Sequence, residues 1–184
     1  MSTIKTTNIT HGSNSGTANM VLASDGGITF AKTMFASYAI LQDQKAANTS
    51  GGNSVADSWT TRDLNTEVAD PDSITSLSSN KFTLAAGNYL IKWSSTFYKV
   101  DVIQTRIYDV TNSATRAVSM GEQLYNQVGS TGNTHGVGRL TPTGSTEYRL
   151  EYYATNAQST TGLGMGNNNG ELNVFSNIEI YKEA

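Results

Sequence analysis

The sequence contains no cysteine, which removes disulfides, thiolate catalysis and cysteine-ligated zinc together. Proline is nearly absent as well, with two residues against 17 glycines, so chain reversals are left to glycine, asparagine and serine. Charge is scarce at 15 %, against an ordinary share of about 25 %. The 12 basic residues are scattered, and the net charge is −3; phosphate backbones are bound by clustered Lys and Arg, so no nucleic-acid partner is expected. No apolar run reaches the ~20 residues of a membrane span, and no signal-type run follows Met1, so membrane insertion is not expected and synthesis in a cytosol is. With only two histidines, His11 and His135, each in polar or glycine-rich surroundings, Ser-His-Asp chemistry has no foundation. Glu147 and Glu151 could share a strand face, but a chain with 15 acidic residues offers such pairs by chance, and no enzyme activity is expected. GLGMG at 162–166 precedes a strand and lacks the adjoining helix of a dinucleotide loop. No cofactor or metal is expected. The Asp70-Pro71-Asp72 segment has the residue types of a calcium ligand set, but reads first as a turn.

What remains is short strands separated by turns. In residues 81–110, Phe82 and Leu84 point one way, residues 85–88 make a turn, and Tyr89, Ile91, Trp93, Ser95 and Phe97 share one face at period two. This predicts a strand with Trp93 in the core, a turn near 99–102 and another strand over 103–110. Further strands are expected over 37–44, 58–68, 115–120, 122–128, 134–140, 148–155 and 171–182. The 134–140 and 148–155 segments read as a hairpin joined by Thr141-Pro142-Thr143-Gly144-Ser145. In the last strand Leu172, Val174, Ile178 and Ile180 are assigned to the inner face, and Phe175, Glu179 and Tyr181 to the outer. Residues 45–57 read as a flexible loop, 130–133 as a glycine-rich tip, and 162–166 as a place of close backbone approach. The fold class is all-β, an antiparallel jelly-roll β-sandwich, with one core expected from 184 residues.

Residues 1–35 differ from the rest. Ile4, Ile9, Met20, Val21, Leu22, Ile28 and Phe30 stand isolated in a polar, glycine-containing background. They cannot enclose a core, so 1–35 is read as a short extended arm that docks on a partner, and 36–184 as the jelly-roll domain.

Two passages carry a family resemblance. Phe82-Thr83-Leu84-Ala85-Ala86-Gly87-Asn88-Tyr89-Leu90-Ile91 resembles the phenylalanine, apolar, Ala-Gly-x-Tyr signature of the trimeric jelly roll shared by the complement globular head and the tumour necrosis factor family. Val174-Phe175-Ser176-Asn177-Ile178-Glu179-Ile180 is similar to the closing strand of that family. Collagen repeats, a secretion signal and cysteines are missing, which separates the chain from the animal members. The opening Met-Ser-Thr-Ile-Lys-Thr-Thr-Asn-Ile is similar to the openings of phage virion proteins. The resemblance implies a homotrimeric bacteriophage structural protein in the virion, made in the host cytoplasm. The expected role is capsid decoration, as a cement or head-fibre protein held to a capsid or tail protein by its arm. The alternative is a tail-fibre or tail-tip knob whose loops at 45–57, 129–134 and 156–170 bind a host surface glycan. Outward aromatic positions on strands with an apolar inner face, Tyr153, Phe175 and Tyr181, are the expected trimer contacts.

Overall fold

The structure is a computed structural model that describes residues 7–10, 18, 20–22, 24, 27–30, 34–125 and 129–184. It divides into two compact units, residues 1–36 with Ala184, and residues 37–183. No helix occurs among the described residues.

In the first unit, β1 (Asn8–Ile9), β2 (Met20–Leu22) and β3 (Ile28–Phe30) form an antiparallel three-stranded sheet. Asn8 pairs with Val21, and Met20 with Phe30. The arm therefore satisfies part of its own backbone, where the sequence reading sent all of it to a partner.

The second unit is an antiparallel jelly-roll sandwich. One layer has five strands: β4 (Phe35–Lys45), β6 (Thr66–Ala69), β9 (Tyr89–Tyr98), β13 (Thr131–Leu140) and β15 (Asn173–Glu183), in the order β13-β9-β15-β4-β6. The other has β5 (Thr60–Thr61), β7 (Thr75–Ser78), β8 (Lys81–Leu84), β10 (Val102–Asp109), β11 (Ala114–Val118), β12 (Glu122–Gln123) and β14 (Thr146–Ala154), ordered β11-β10-β14-β8-β7, with β12 on β10 and β5 on β14.

The alternation read in β9 places the core as expected. Tyr89, Ile91, Trp93, Ser95 and Phe97 are all buried on the side facing the other sheet, whose inner side chains include Phe82 and Leu84 of β8 and Tyr148, Leu150 and Tyr152 of β14. The Phe82 and Tyr148 rings stack at 5.6 Å, adding ring complementarity to their burial. Trp93 Nε1 donates to Thr105 Oγ1 at 2.9 Å, and that hydroxyl lies 2.9 Å from Thr134 Oγ1. This chain of buried polar groups crosses from one sheet to the other and back with its partners supplied. Room for the Trp93 ring is made by Gly136, opposite it on β13, where a Cβ would overlap the indole.

Several expectations are corrected. β13 and β14 do not form a hairpin: β13 pairs with β9 in one sheet and β14 with β10 and β8 in the other. The 141–145 segment has turn chemistry but carries the chain across the sandwich. Residues 131–133 belong to β13, not to a tip, and the strand read over 122–128 is limited to Glu122–Gln123, with 126–128 outside the described residues. The strand read over 58–68 is two short strands, because between them Arg62 and Leu64 turn into the interior. β7 was not read at all. In β15 the inward phase changes between Phe175 and Ser176, which are both buried, so Leu172 and Val174 are 61 % and 42 % exposed instead of inner.

Arg62 explains that change of phase. It is fully buried, with Nη2 within 2.6–3.0 Å of the carbonyl oxygens of Thr96, Leu163 and Phe175, and Nε donating to Ser176 Oγ at 2.8 Å. Its guanidinium lies 5.0 Å from the Phe97 ring centre. Burial pushes its pKa down to about 10, partly offset by Asp43, so it remains a cation at neutral pH. One side chain thus supplies donors where β15, β9 and the 156–172 loop cannot pair regularly.

The 46–59 loop is not free. Gly51 N and Ser54 N donate to the carbonyl oxygens of Gly164 and Gln158, and Leu163 N donates to that of Gly52. Close backbone approach at 162–166 is present as read: a Cβ on Gly164, whose φ is +124°, would strike Phe175 and Thr96.

Candidate functional site

In the N-terminal unit Ile9, Val21 and Ile28 are exposed at 45, 37 and 55 %, and Met20 and Leu22 are half-buried. Phe30 pairs through its backbone with Met20, and Ile4 lies outside the described residues.

Of the three aromatic positions assigned to a trimer contact, Phe175 is only 4 % exposed. The change of phase at Ser176 turns it into the interior, so it presents no surface. Tyr181 and Tyr153 are half-buried and stand on the outer faces of different sheets. A closed threefold ring needs contacting surfaces inclined to each other; contact through back-to-back faces propagates as a stack.

The outer face of the five-stranded sheet mixes a polar ladder with uncovered apolar side chains. Gln44 donates to Gln42, Gln42 to Asn177 and Asn177 to Glu179, while Tyr181 Oη donates to Glu179 at 2.8 Å. This last bond, to an anion, raises the Tyr181 phenol above its ordinary 10. Lys92 Nζ lies 3.7 Å from the same carboxylate. Tyr38, Val137 and Val174 are exposed on this face. Along β9 the outward residues Ser94 and Thr96 are small, and the neighbouring strands stand higher. The result is a trench of adjoining depressions of about 430, 250 and 190 Å³, walled by Asn133 and His135 on one side and Val174 and Asn177 on the other.

The opposite face carries a cluster that sequence reasoning missed. The buried Glu151 carboxylate accepts from Arg106 Nε and Arg149 Nε, both at 2.6 Å. Arg106 lies 4.1 Å from the Trp59 ring centre and 4.9 Å from that of Tyr108, which Arg149 also covers at 5.1 Å. Tyr153 packs tilted against Trp59, and its Oη donates to Asp57. The signal available in the sequence was Arg149-x-Glu151-x-Tyr153 on one strand face; the partners Trp59 and Arg106 come from elsewhere in the chain. At Asp70 both carboxylate oxygens accept backbone N–H groups, of Ile74 at 2.8 Å and Thr75 at 2.9 Å, which is the geometry of a turn.

No protein-family model matches this sequence, and neither does any curated protein. Among solved structures, the chain is similar to murine APRIL, a tumour necrosis factor family protein, with a TM-score of 0.51 at 10 % identity, covering 79 % of this chain and 98 % of that one. It is also similar to the globular domain of zebrafish complement 1qA (TM-score 0.49, 10 % identity, 78 % and 94 % covered). The PRD1 vertex protein P5 gives a TM-score of 0.46 at 14 % identity, with 82 % and 99 % covered. At such identities the likeness to APRIL is one of fold, and it agrees with the jelly roll expected from residues 82–91.

Proposed function

We propose that the chain is a homotrimeric structural protein of a bacteriophage virion, a capsid decoration protein of the cement or head-fibre kind, with a structural and not a catalytic role. The observation that carries this reading is the unequal completeness of the two units. The jelly roll encloses two clusters of buried apolar side chains, whereas β1 to β3 are two or three residues long and hold Ile9, Val21 and Ile28 out to solvent. A sheet of that size is not stable alone, and its apolar side chains call for a further surface, which a capsid or tail protein would supply. Self-association is assigned to the five-stranded face, where Tyr38, Val137 and Val174 are uncovered and Tyr181 stands on the same face. Deleting residues 1–34 is expected to leave a soluble, folded trimer that no longer attaches to particles. Full occupancy by the truncated chain would place attachment in the jelly roll and refute the assignment.

A second reading, a tail-fibre or tail-tip knob that binds a host glycan, is favoured by the Trp59–Arg106–Tyr108–Tyr153 cluster, since Trp, Tyr and Arg are the residues that dominate recognition surfaces. Copy number per particle, read by electron microscopy, separates the two: tens to hundreds for decoration, a few for a tail tip.

A further inference from the structure

At one end of the sandwich the edge strands of the two sheets, β11 and β13, come together. They do so because Gly138 has no side chain: a Cβ there would lie 2.5 Å from Ala117 Cβ. The residues next to that contact are Arg116 and Arg139, and the close approach brings them to the same open pocket of about 420 Å³, with Asn112, Thr141, Thr143 and Thr146 also in its wall.

Two guanidinium groups at one pocket repel unless each is neutralised, and here each has a carboxylate of its own. Arg116 Nε and Nη2 donate to Asp109 Oδ2 at 2.9 and 2.8 Å, and Arg139 Nε and Nη2 donate to the two oxygens of Glu183 at 2.7 Å. Asp109 is buried and also accepts the backbone N–H and the Nδ2 of Asn112, so it fixes the Arg116 head group as well as balancing it. Both pairings use Nε and Nη2. The Nη1 groups of Arg116 and Arg139 have no hydrogen-bond partner among the described residues, and Asn112 Oδ1 is likewise open. Preset donors of this kind suit an oxyanion, since no side chain has to be ordered when it arrives.

We propose that this pocket binds the carboxylate-bearing ring of an acidic saccharide, the carboxylate received by Arg116 and Arg139 and the ring hydroxyls by Asn112, Thr141 and Thr143. The volume is within the range of small-ligand sites. The wall is mainly hydroxyl, amide and guanidinium, which matches a polyhydroxylated ring. Its one aromatic ring, Tyr148, is buried and stacked on Phe82, so there is no free aromatic face for a nucleobase. Two guanidiniums against Asp109 and Glu183 leave no net charge at the pocket, which disfavours a doubly charged phosphate more than a singly charged carboxylate. The inference rests on neither placement in the particle, because binding is read on the isolated protein and attachment on particles.

The test is a titration of the isotopically labelled full chain with D-glucuronate, methyl glucoside and inorganic phosphate, followed by amide chemical shifts. Glucuronate is expected to move the amides of residues 112–116 and 139–146. Arg139→Gln, which removes one member of an exposed ion pair, is expected to weaken glucuronate at least about tenfold. Thr143→Val, in the exposed crossover, should weaken it about threefold, a smaller change in keeping with loss of one neutral hydrogen bond. Lys99→Gln, past the end of β9 opposite to the Tyr89–Leu140 pair beside the pocket, should leave it unchanged. An equal response to methyl glucoside, binding of phosphate without glucuronate, or undiminished glucuronate binding in both pocket variants would overturn the proposal.

Discussion

Replacing Arg62 by methionine isolates the one charged side chain on which the irregular end of the sandwich depends. Methionine fills similar space without a donor, so Ser176 Oγ and the carbonyls of Thr96, Leu163 and Phe175 lose their bonds from Nη2 and Nε while staying buried. Thr96 Oγ1 stands 3.3 and 3.4 Å from the Leu163 and Phe175 oxygens and can recover part of one of these losses. With two to three acceptors left unsatisfied at about 1.5 kcal/mol each, the cost is about 3–5 kcal/mol. Swapping a buried ion pair for apolar residues can be harmless when both partners go. Here three of the four acceptors are backbone carbonyls and remain, so that relief is absent. For a domain of this size each kcal/mol moves the melting temperature by about 2–4 °C, giving a fall of roughly 6–20 °C. The assay is thermal unfolding followed by tryptophan fluorescence, with Trp93 as a buried reporter. A melting temperature within about 2 °C of the parent would mean that these acceptors find other donors and that Arg62 does not hold the loops.

Gly136→Ala should cost about 1–3 kcal/mol, because the new methyl overlaps an indole that is held by its bond to Thr105; an unchanged melting temperature would show that the ring can move. Acid should expose the role of Asp109. Burial alone would raise its pKa, but the bonds from Asn112 and Arg116 outweigh this and hold it below the ordinary 3.8. A carboxylate with a lowered folded value contributes stability above the ordinary value and loses it as pH falls through the folded one. The stability gap between parent and Asp109→Asn, measured by urea unfolding, should therefore be constant well above 3.8 and close below it; a gap that ignores pH would contradict this. Val137→Glu, placed on the exposed five-stranded face, should reduce the sedimenting species from three 19.7 kDa chains to one, and an undisturbed trimer would move the contact to another surface.

The sequence was most legible where one strand keeps one phase. β9 repeats five inward side chains without a break, and the face that each takes follows from that alone. β15 was legible only from Ser176 onward, since the break before it is set by an arginine more than a hundred residues away. The reading of 58–68 as one strand likewise missed Arg62, whose burial depends on carbonyls that no local pattern announces. Turn chemistry at 141–145 correctly marked a reversal, but a turn does not say whether the next strand joins the same sheet. The candidate sites were harder still. Arg116 and Arg139 meet through the absence of a side chain at Gly138, and Trp59 reaches Arg106 across strands that share no motif. In 1–35 the isolated apolar residues gave no hint of the pairing among β1, β2 and β3.

The placement of β15 in the interior of its sheet has a consequence for how the molecule is made. β9 and β4 do not pair with each other; each pairs with β15, which lies between them. While the chain is being synthesised, the two halves of that layer wait as unjoined edges until Ile178 and Ile180, which complete the interior and follow both in the chain, have been added. The jelly roll therefore closes after translation of residue 183 and not progressively during it. Until then its exposed strand edges invite pairing with neighbouring nascent chains, a hazard that rises with the density of ribosomes on a heavily translated message.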